Sequence, residues 1–331
     1  MFYLDINTPR FQKAVNEHYK HSRYVVKKRL HGDRFTEKAP IFQKSGINKI
    51  AIDKTLFRYL DNEDNLRRIL IGLPEELSSI KSKFCRQKKD LLKILNYDYF
   101  NKKGVYQQNR NFVDRYNSFH LTSNLGYNTC VYCNRNYINT ITNGIRVHKL
   151  KNRKMPTKFL IARPTLDHWF PKSKYPILAI SFFNLIPTCS VCNSSLKGSV
   201  DLNLNEHFHP YHINNDENKQ LKYRFNFDLE NTEKARLIIE SSNTFSRKSI
   251  ESYNLDKLYS GHNTELRDLL KLKKHFGTSY LSNLQKILKE TDITSTEMQR
   301  IIFGNLSDSE HALKTPLSKF RTDILNRLGV I

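Results

Sequence analysis

Two Cys-x-x-Cys pairs, Cys130/Cys133 and Cys189/Cys192, constrain this chain more than any other feature of its sequence. A two-residue gap lets both sulfurs of one turn face a common point. Two such pairs therefore offer four thiolates to one tetrahedral ion at about 2.3 Å each. Two other readings compete: a redox dithiol, or buried unpaired thiols. A redox dithiol needs no second copy and sits in a thioredoxin-like strand–helix setting. The paired spacing favours structural Zn²⁺. A closed four-sulfur site leaves no open coordination position, so such an ion does no chemistry of its own. The fifth cysteine, Cys85, lies in a Lys-rich stretch that reads as helix and is taken as a passive thiol.

Residues 134–188 separate the pairs, more than a simple zinc ribbon holds, so an inserted structure must bring the second pair back. Around this core the sequence reads as α+β in three parts. Residues 1–128 form an N-terminal helical region, with helices expected over 10–30, 54–70, 74–96 and 108–125. Residues 129–215 form the zinc-stapled core, with strands over 137–141 and 159–166 and a short helix over 190–198, stopped by Gly198. Residues 216–331 are mixed and mainly helical. KYRFNFDL and ARLIIESS read as strands, and helices are expected over 246–258, 263–290, 294–304 and 316–328. Thr294 and Glu297 make a capping box for the third of these.

Charge narrows the partner. Lys and Arg total 55 against 32 Asp and Glu, a net charge of +23 over 331 residues. Such an excess repels itself and suits a polyanion. Nucleic acid is the first candidate. An anionic membrane surface would want a basic amphipathic helix with aromatic anchors, and the charges of 10–30 are spread around the helix. No run of about 18 apolar residues is present, which argues against a membrane span. The segment MFYLDINTPRFQKAV lacks the pattern of a secretory signal, so the cytoplasm is the expected location. No GxxxxGK[ST] loop is present, so the chain carries no ATP-driven motor of that kind.

The stretch 166–199, LDHWFPKSKYPILAISFFNLIPTCSVCNSSLKGS, carries the chemistry. Asp167 and His168 are adjacent after a strand, Asn184 follows, and Asn193 comes directly after the second Cys pair. Lys197 lies one helical turn beyond Asn193. Phosphodiester hydrolysis needs an activated water, a charge sink at the phosphate and a stabilised leaving oxygen. An imidazole such as His168 titrates near neutrality and can take the water proton. Asp167 is a hard oxygen ligand for Mg²⁺ or Mn²⁺, and Asn193 can complete the ligation. Lys197 offers a point charge near the phosphate. Taken singly, each of these residues is an ordinary turn, cap or solvated side chain; their order beside a cysteine pair is what signifies. Residues 141–200 hold ten basic side chains, among them Arg146, Lys149, Lys151, Arg153, Lys154, Lys172 and Lys174, and one acid, Asp167. This field suits a phosphate backbone. His207, His209 and His212 are spaced too loosely for a shared ligand face, and packing near the site is the expected role.

The order Asp-His, Asn, then Cys-x-x-Cys-Asn-x-x-x-Lys resembles the HNH (His-Me finger) endonuclease family. The stretch TCVYCNRNYI (129–138), together with HPY (209–211) and NLDKLYSGH (254–262), resembles a bacterial zinc-containing subset. Some members of that subset are nuclease subunits of Septu-like and retron-linked antiviral systems, paired with an ATPase. The resemblance implies a ββα-metal core, with His168 as general base, Asp167 and Asn193 on the catalytic metal, and Asn184 ordering the loop between the strands. It also implies DNA as substrate, with RNA or tRNA as the alternative, and an ATPase partner that controls the enzyme. A different class of reading is a zinc-containing nucleic-acid-binding adaptor with a silent nuclease site.

Overall fold

Thr8 starts the first helix: its hydroxyl accepts from the Phe11 amide, Pro9 opens the first turn, and Gly32 at φ 63° ends it. This helix, α1 (Pro9–His31), buries Phe11, Ala14, Val15, His18, Val25 and Val26 at helical spacing. In this computed structural model the described residues are 1–40, 47–101, 116–141, 144–150, 153–159, 161–228, 232–275 and 312–330, with isolated positions between 283 and 304.

Two of the long helices expected in the N-terminal region are each two helices. Asn62 leaves the helical conformation and its side chain accepts from the Asn65 amide at 3.0 Å. It thereby ends α2 (Lys54–Asp61) and caps α3 (Glu63–Ile71). Between α4 (Pro74–Ile80) and α5 (Lys88–Ile94), Phe84 takes a left-handed φ of 57°, which no helix continues through. Two more helices follow, α6 (Tyr97–Asn101) and α7 (Ser118–Leu125). The expected start of a helix at 108 lies outside the described residues.

The strands differ most from expectation. A hairpin of β1 (Gly144–Leu150) and β2 (Arg153–Phe159) pairs Gly144 with Phe159 and Leu150 with Arg153, where no strand was anticipated between 141 and 159. Residues 137–141 contribute only the single bridges Thr129–Tyr137 and Ile141–Ala162. Pro164 lacks an N–H and interrupts the expected strand 159–166, so β3 (Thr165–His168) begins after it. β3 runs antiparallel to β4 (Leu185–Thr188), with His168 opposite Leu185 and Thr165 opposite Thr188. A π-helical turn, Val191–Lys197, follows β4. β5 (Tyr223–Asp228) pairs with β6 (Arg236–Ser241) as the sequence suggests.

The C-terminal helices are α8 (Thr244–Ser252), α9 (Leu255–Tyr259), α10 (Asn263–His275) and α11 (Ser318–Arg327). Asn254 at φ 44° separates α8 from α9, where one helix was expected. The expected helix 294–304 falls almost wholly outside the described residues. The architecture is α+β, with three two-stranded antiparallel sheets among the described residues. One buried apolar cluster joins Leu30, Leu66 and Ile69 to Trp169 and Phe182, and these to Phe225, Tyr259 and Phe320, so all three sequence regions share a core. No described helix is long and apolar enough to cross a membrane.

α1 holds the segment between β3 and β4. Phe11 meets Phe182 edge-on at 5.3 Å, and His18 Nε2 lies 2.8 Å from the Ile180 carbonyl oxygen. The strand carrying Asp167 and His168 is therefore braced from the N-terminal region.

Candidate metal centre and active site

Each Cys-x-x-Cys pair closes a tight turn. The Asn134 amide donates to the Cys130 carbonyl at 2.8 Å and the Asn193 amide to the Cys189 carbonyl at 3.1 Å. Further amides point at sulfur: Arg135 N to Cys133 Sγ at 3.4 Å and Cys192 N to Cys189 Sγ at 3.5 Å. Such bonds favour thiolate over thiol. The four sulfurs lie within 4.8 Å of one another and all four residues are buried. The Cys133–Cys189 separation is 3.9 Å. A tetrahedral site with 2.3 Å metal–sulfur bonds has an edge of about 3.8 Å. The donor set and its spacing thus fit a four-coordinate ion. Left to themselves the thiols cannot all ionise: burial and the neighbouring thiols push Cys130 up, while the other sulfurs hold Cys189 low.

Neighbouring side chains on a strand point to opposite faces, and Asp167 and His168 obey this. Asp167 faces the cysteine turns and is 1% exposed. Its Oδ2 accepts from the Tyr132 hydroxyl at 2.7 Å, and its Oδ1 from the Lys197 ammonium at 3.2 Å. Burial raises its pKa, and Lys197 and Tyr132 oppose that rise. His168 faces α6. Its ring meets Tyr97 edge-on at 4.4 Å, and its Nε2 lies 2.9 Å from the Ala179 carbonyl oxygen. A carbonyl only accepts, so Nε2 carries the proton and Nδ1 presents its lone pair. Nδ1 has no partner among the described residues and is not sealed from solvent. Burial holds the His168 pKa down to about 3, so the ring is neutral at physiological pH. The near-neutral value expected of a free imidazole does not apply at this position.

Asn184 is fully buried and clamps the loop between the strands. Its Oδ1 accepts from the Phe170 amide at 2.7 Å, and its Nδ2 donates to the Phe170 and Leu178 carbonyls at 3.1 and 3.0 Å. It reaches no open surface and acts by holding the 169–184 loop, and with it Ala179, in place.

Lys197 differs from expectation. It is 2% exposed, and its ammonium also donates to the His168 carbonyl at 2.7 Å. The reason is the π-helical turn. The Gly198 amide reaches back five residues to the Asn193 carbonyl at 3.0 Å, so Lys197 is carried off the Asn193 face and into the core. Asn193 is half-buried, and its side chain makes no hydrogen bond among the described residues.

Among the described residues, the four cysteines are the only group of three or more His, Cys, Asp or Glu side chains placed to hold a metal. His207, His209 and His212 form no such group. His209 is buried against Trp169, with ring centroids 4.7 Å apart, while His212 faces Glu75 at 3.6 Å. Arg146, Lys149, Arg153 and Lys154 lie along the β1–β2 hairpin, and Lys151 lies outside the described residues. Lys172 and Lys174 flank the site loop and pair with Asp98 at 3.6 Å and Asp201 at 2.6 Å, acids that lie outside the 141–200 stretch.

Compared with protein families, curated proteins and solved structures, the chain gives no match.

Sequence reasoning missed Tyr132 and Tyr97. Tyr132 sits inside the first cysteine pair, and its place in that turn was the available signal. Tyr97 lies in a helix with no motif, and only the tertiary fold brings it to His168. The stretch 254–262 does reach the cysteine turns: the Tyr259 hydroxyl donates to the Cys133 carbonyl at 2.6 Å, and Arg135 Nε contacts His262 Nε2 at 2.6 Å.

Proposed function

We propose that this chain is a nuclease of the HNH type that hydrolyses phosphodiester bonds of DNA, with a structural zinc ion on Cys130, Cys133, Cys189 and Cys192. The observation that carries the reading is the bond from His168 Nε2 to the Ala179 carbonyl. It fixes the tautomer that leaves Nδ1 free to take a proton from water. Asn184 holds that carbonyl's loop, and β3 holds the ring. The antiparallel β3–β4 pair followed by the helical turn Val191–Lys197 supports the ββα reading. The net charge of +23 supplies the affinity for a polyanion.

A catalytic Mg²⁺ or Mn²⁺ belongs to this reading through Asp167 and Asn193. When bound it would neutralise charge at the phosphate. The residues as arranged do not present a site for it, because both Asp167 oxygens are engaged by Tyr132 and Lys197. A cation at Asp167 must first exchange with the Lys197 ammonium. The same observation favours a second reading, a zinc-containing nucleic-acid-binding adaptor whose nuclease site is silent. An ATPase partner and a role in antiviral defence rest on the sequence resemblance alone.

One assay separates the two readings. Purified protein is incubated with plasmid, linear duplex, single strands and tRNA in Mg²⁺ or Mn²⁺, with and without a candidate ATPase. The nuclease reading expects cleavage, lost by roughly 10²–10⁴-fold in His168→Ala with zinc and fold retained. Binding without cleavage under every condition establishes the adaptor.

A further inference from the structure

Arg163 is a cation without a counter-charge. One Nη donates to the Pro164 carbonyl and the other to Asn101 Oδ1, both at 2.5 Å. Its Nε is buried and has no partner, and no carboxylate pairs with it among the described residues. Burial lowers its pKa, and the Phe119 ring, with its centroid 5.4 Å from the guanidinium carbon, meets the charge only in part. Each Nη keeps a second N–H with no partner among the described residues, a pair of donors suited to an anion.

Its position gives the anion an identity. Asn101 and Tyr97 stand four residues apart on α6, hence on one face. Asn101 holds Arg163, and the Tyr97 ring touches His168 at 4.4 Å. Lys172 Nζ sits 4.5 Å from the same ring, its charge already met by Asp98 at 3.6 Å. The Tyr97 hydroxyl makes no hydrogen bond among the described residues, although the residue as a whole is buried at 9% exposure. Burial raises its pKa to about 12, so it remains a donor. An imidazole with a bare nitrogen thus meets the Tyr97 ring, whose hydroxyl is unpaired, and Asn101 on the same helix holds a guanidinium without a counter-charge.

We propose that Arg163, oriented by Asn101, and the Tyr97 hydroxyl form a subsite for a nucleic-acid phosphate beside His168. This rests on the nuclease reading of the site and adds to it the residues that seat the backbone. The short helix α6, in a region with no recognised motif, thereby becomes one wall of the site. Arg163 works as a fork, with one N–H of each Nη on Asn101 or the Pro164 carbonyl and the second on phosphate oxygens, which a lysine cannot reproduce.

The test uses the full chain with a short DNA duplex. Affinity is measured across salt, and single-turnover cleavage is measured where the wild type cuts. Arg163→Gln should weaken binding and reduce the salt slope by about 0.9, the loss of one phosphate contact. Arg163→Lys should keep the slope but lose tenfold or more in cleavage. Tyr97→Phe should lower cleavage with the melting temperature unchanged. Arg163→Gln with wild-type slope and affinity overturns the proposal; if that variant does not fold, Arg163→Lys cutting at the wild-type rate overturns it. A wild type that binds but never cuts removes the nuclease reading, and the Arg163→Gln salt slope still decides whether a phosphate sits there.

Discussion

The Tyr132 hydroxyl donates to Asp167 Oδ2 at 2.7 Å, across 35 residues of sequence. One of the two residues between the first two cysteines thus holds the acid that precedes His168. Both partners are buried, and Tyr132 also packs on Tyr253, with ring centroids 4.3 Å apart. Removing this hydroxyl leaves a buried carboxylate one donor short. Tyr132→Phe should lose about 1.5–3 kcal/mol of stability, the usual range for a hydrogen bond to a charged group. Its zinc content should be unchanged. Denaturant unfolding beside elemental analysis checks both, and full stability in the variant would show that the bond contributes nothing.

Metal removal should be far more damaging. A four-cysteine zinc site contributes about 10–16 kcal/mol of apparent binding energy at neutral pH. Cys130→Ser or Cys192→Ser should give aggregated or loosely packed protein. Chelation of the wild type should release one equivalent of zinc with loss of near-UV circular dichroism. A pure, folded protein with no zinc and four free thiols would refute the assignment.

Lys197→Ala isolates the question of the second cation. It removes the ammonium from Asp167 Oδ1 and leaves a buried carboxylate with Tyr132 alone. The variant should be about 3–5 kcal/mol less stable without added metal, as when one partner of a buried pair is deleted. Millimolar Mg²⁺ or Mn²⁺ should then restore part of its melting temperature and should do less for the wild type. Equal responses of the two proteins to metal would mean that Asp167 takes no cation.

Acid should unfold this protein through its buried histidines. Burial holds the pKa of His18 and of His21 down to about 4, against 6.5 for a free imidazole. Both rings are neutral when folded and charge when unfolded. Between pH 6.5 and about 4 the unfolded chain therefore binds more protons, and stability falls as pH falls through that window. Above pH 6.5 these groups add no pH dependence. Urea midpoints from pH 8 to pH 4 should show the decline, and His18→Gln should make it shallower. A midpoint that is flat down to pH 4 would contradict this.

What the sequence made legible was local chemistry. The cysteine pairs, the Asp167–His168 step and the Asn184 position stand out because few residue types perform those tasks at those spacings. The hairpin 144–159 did not stand out, because Arg, Lys and Gly break its apolar alternation. Lys197 was placed by assuming 3.6 residues per turn, and one wider turn was enough to move it from surface to core. Tyr97 and Arg163 carry no local signal, since their meaning comes from contacts between segments far apart in the chain. Asn62, Phe84 and Asn254 show the same limit in the helices: single-residue dihedrals split elements that periodicity alone joins.

Asn134, the residue after the first cysteine pair, sits at φ 53°. Its Nδ2 donates to the carbonyls of Ala312 and Thr315 at 3.0 and 3.2 Å, its Oδ1 accepts from Ser318, and its carbonyl accepts from the Leu317 amide. These bonds span 178 to 184 residues. On a ribosome, residue 134 emerges long before residue 312, and at about 5–20 residues per second the wait is of the order of ten seconds or more. Throughout that interval the first cysteine turn lacks its cover. A nascent or broken chain ending before residue 312 therefore holds all four cysteines but lacks the bonds that brace the turn after the first pair.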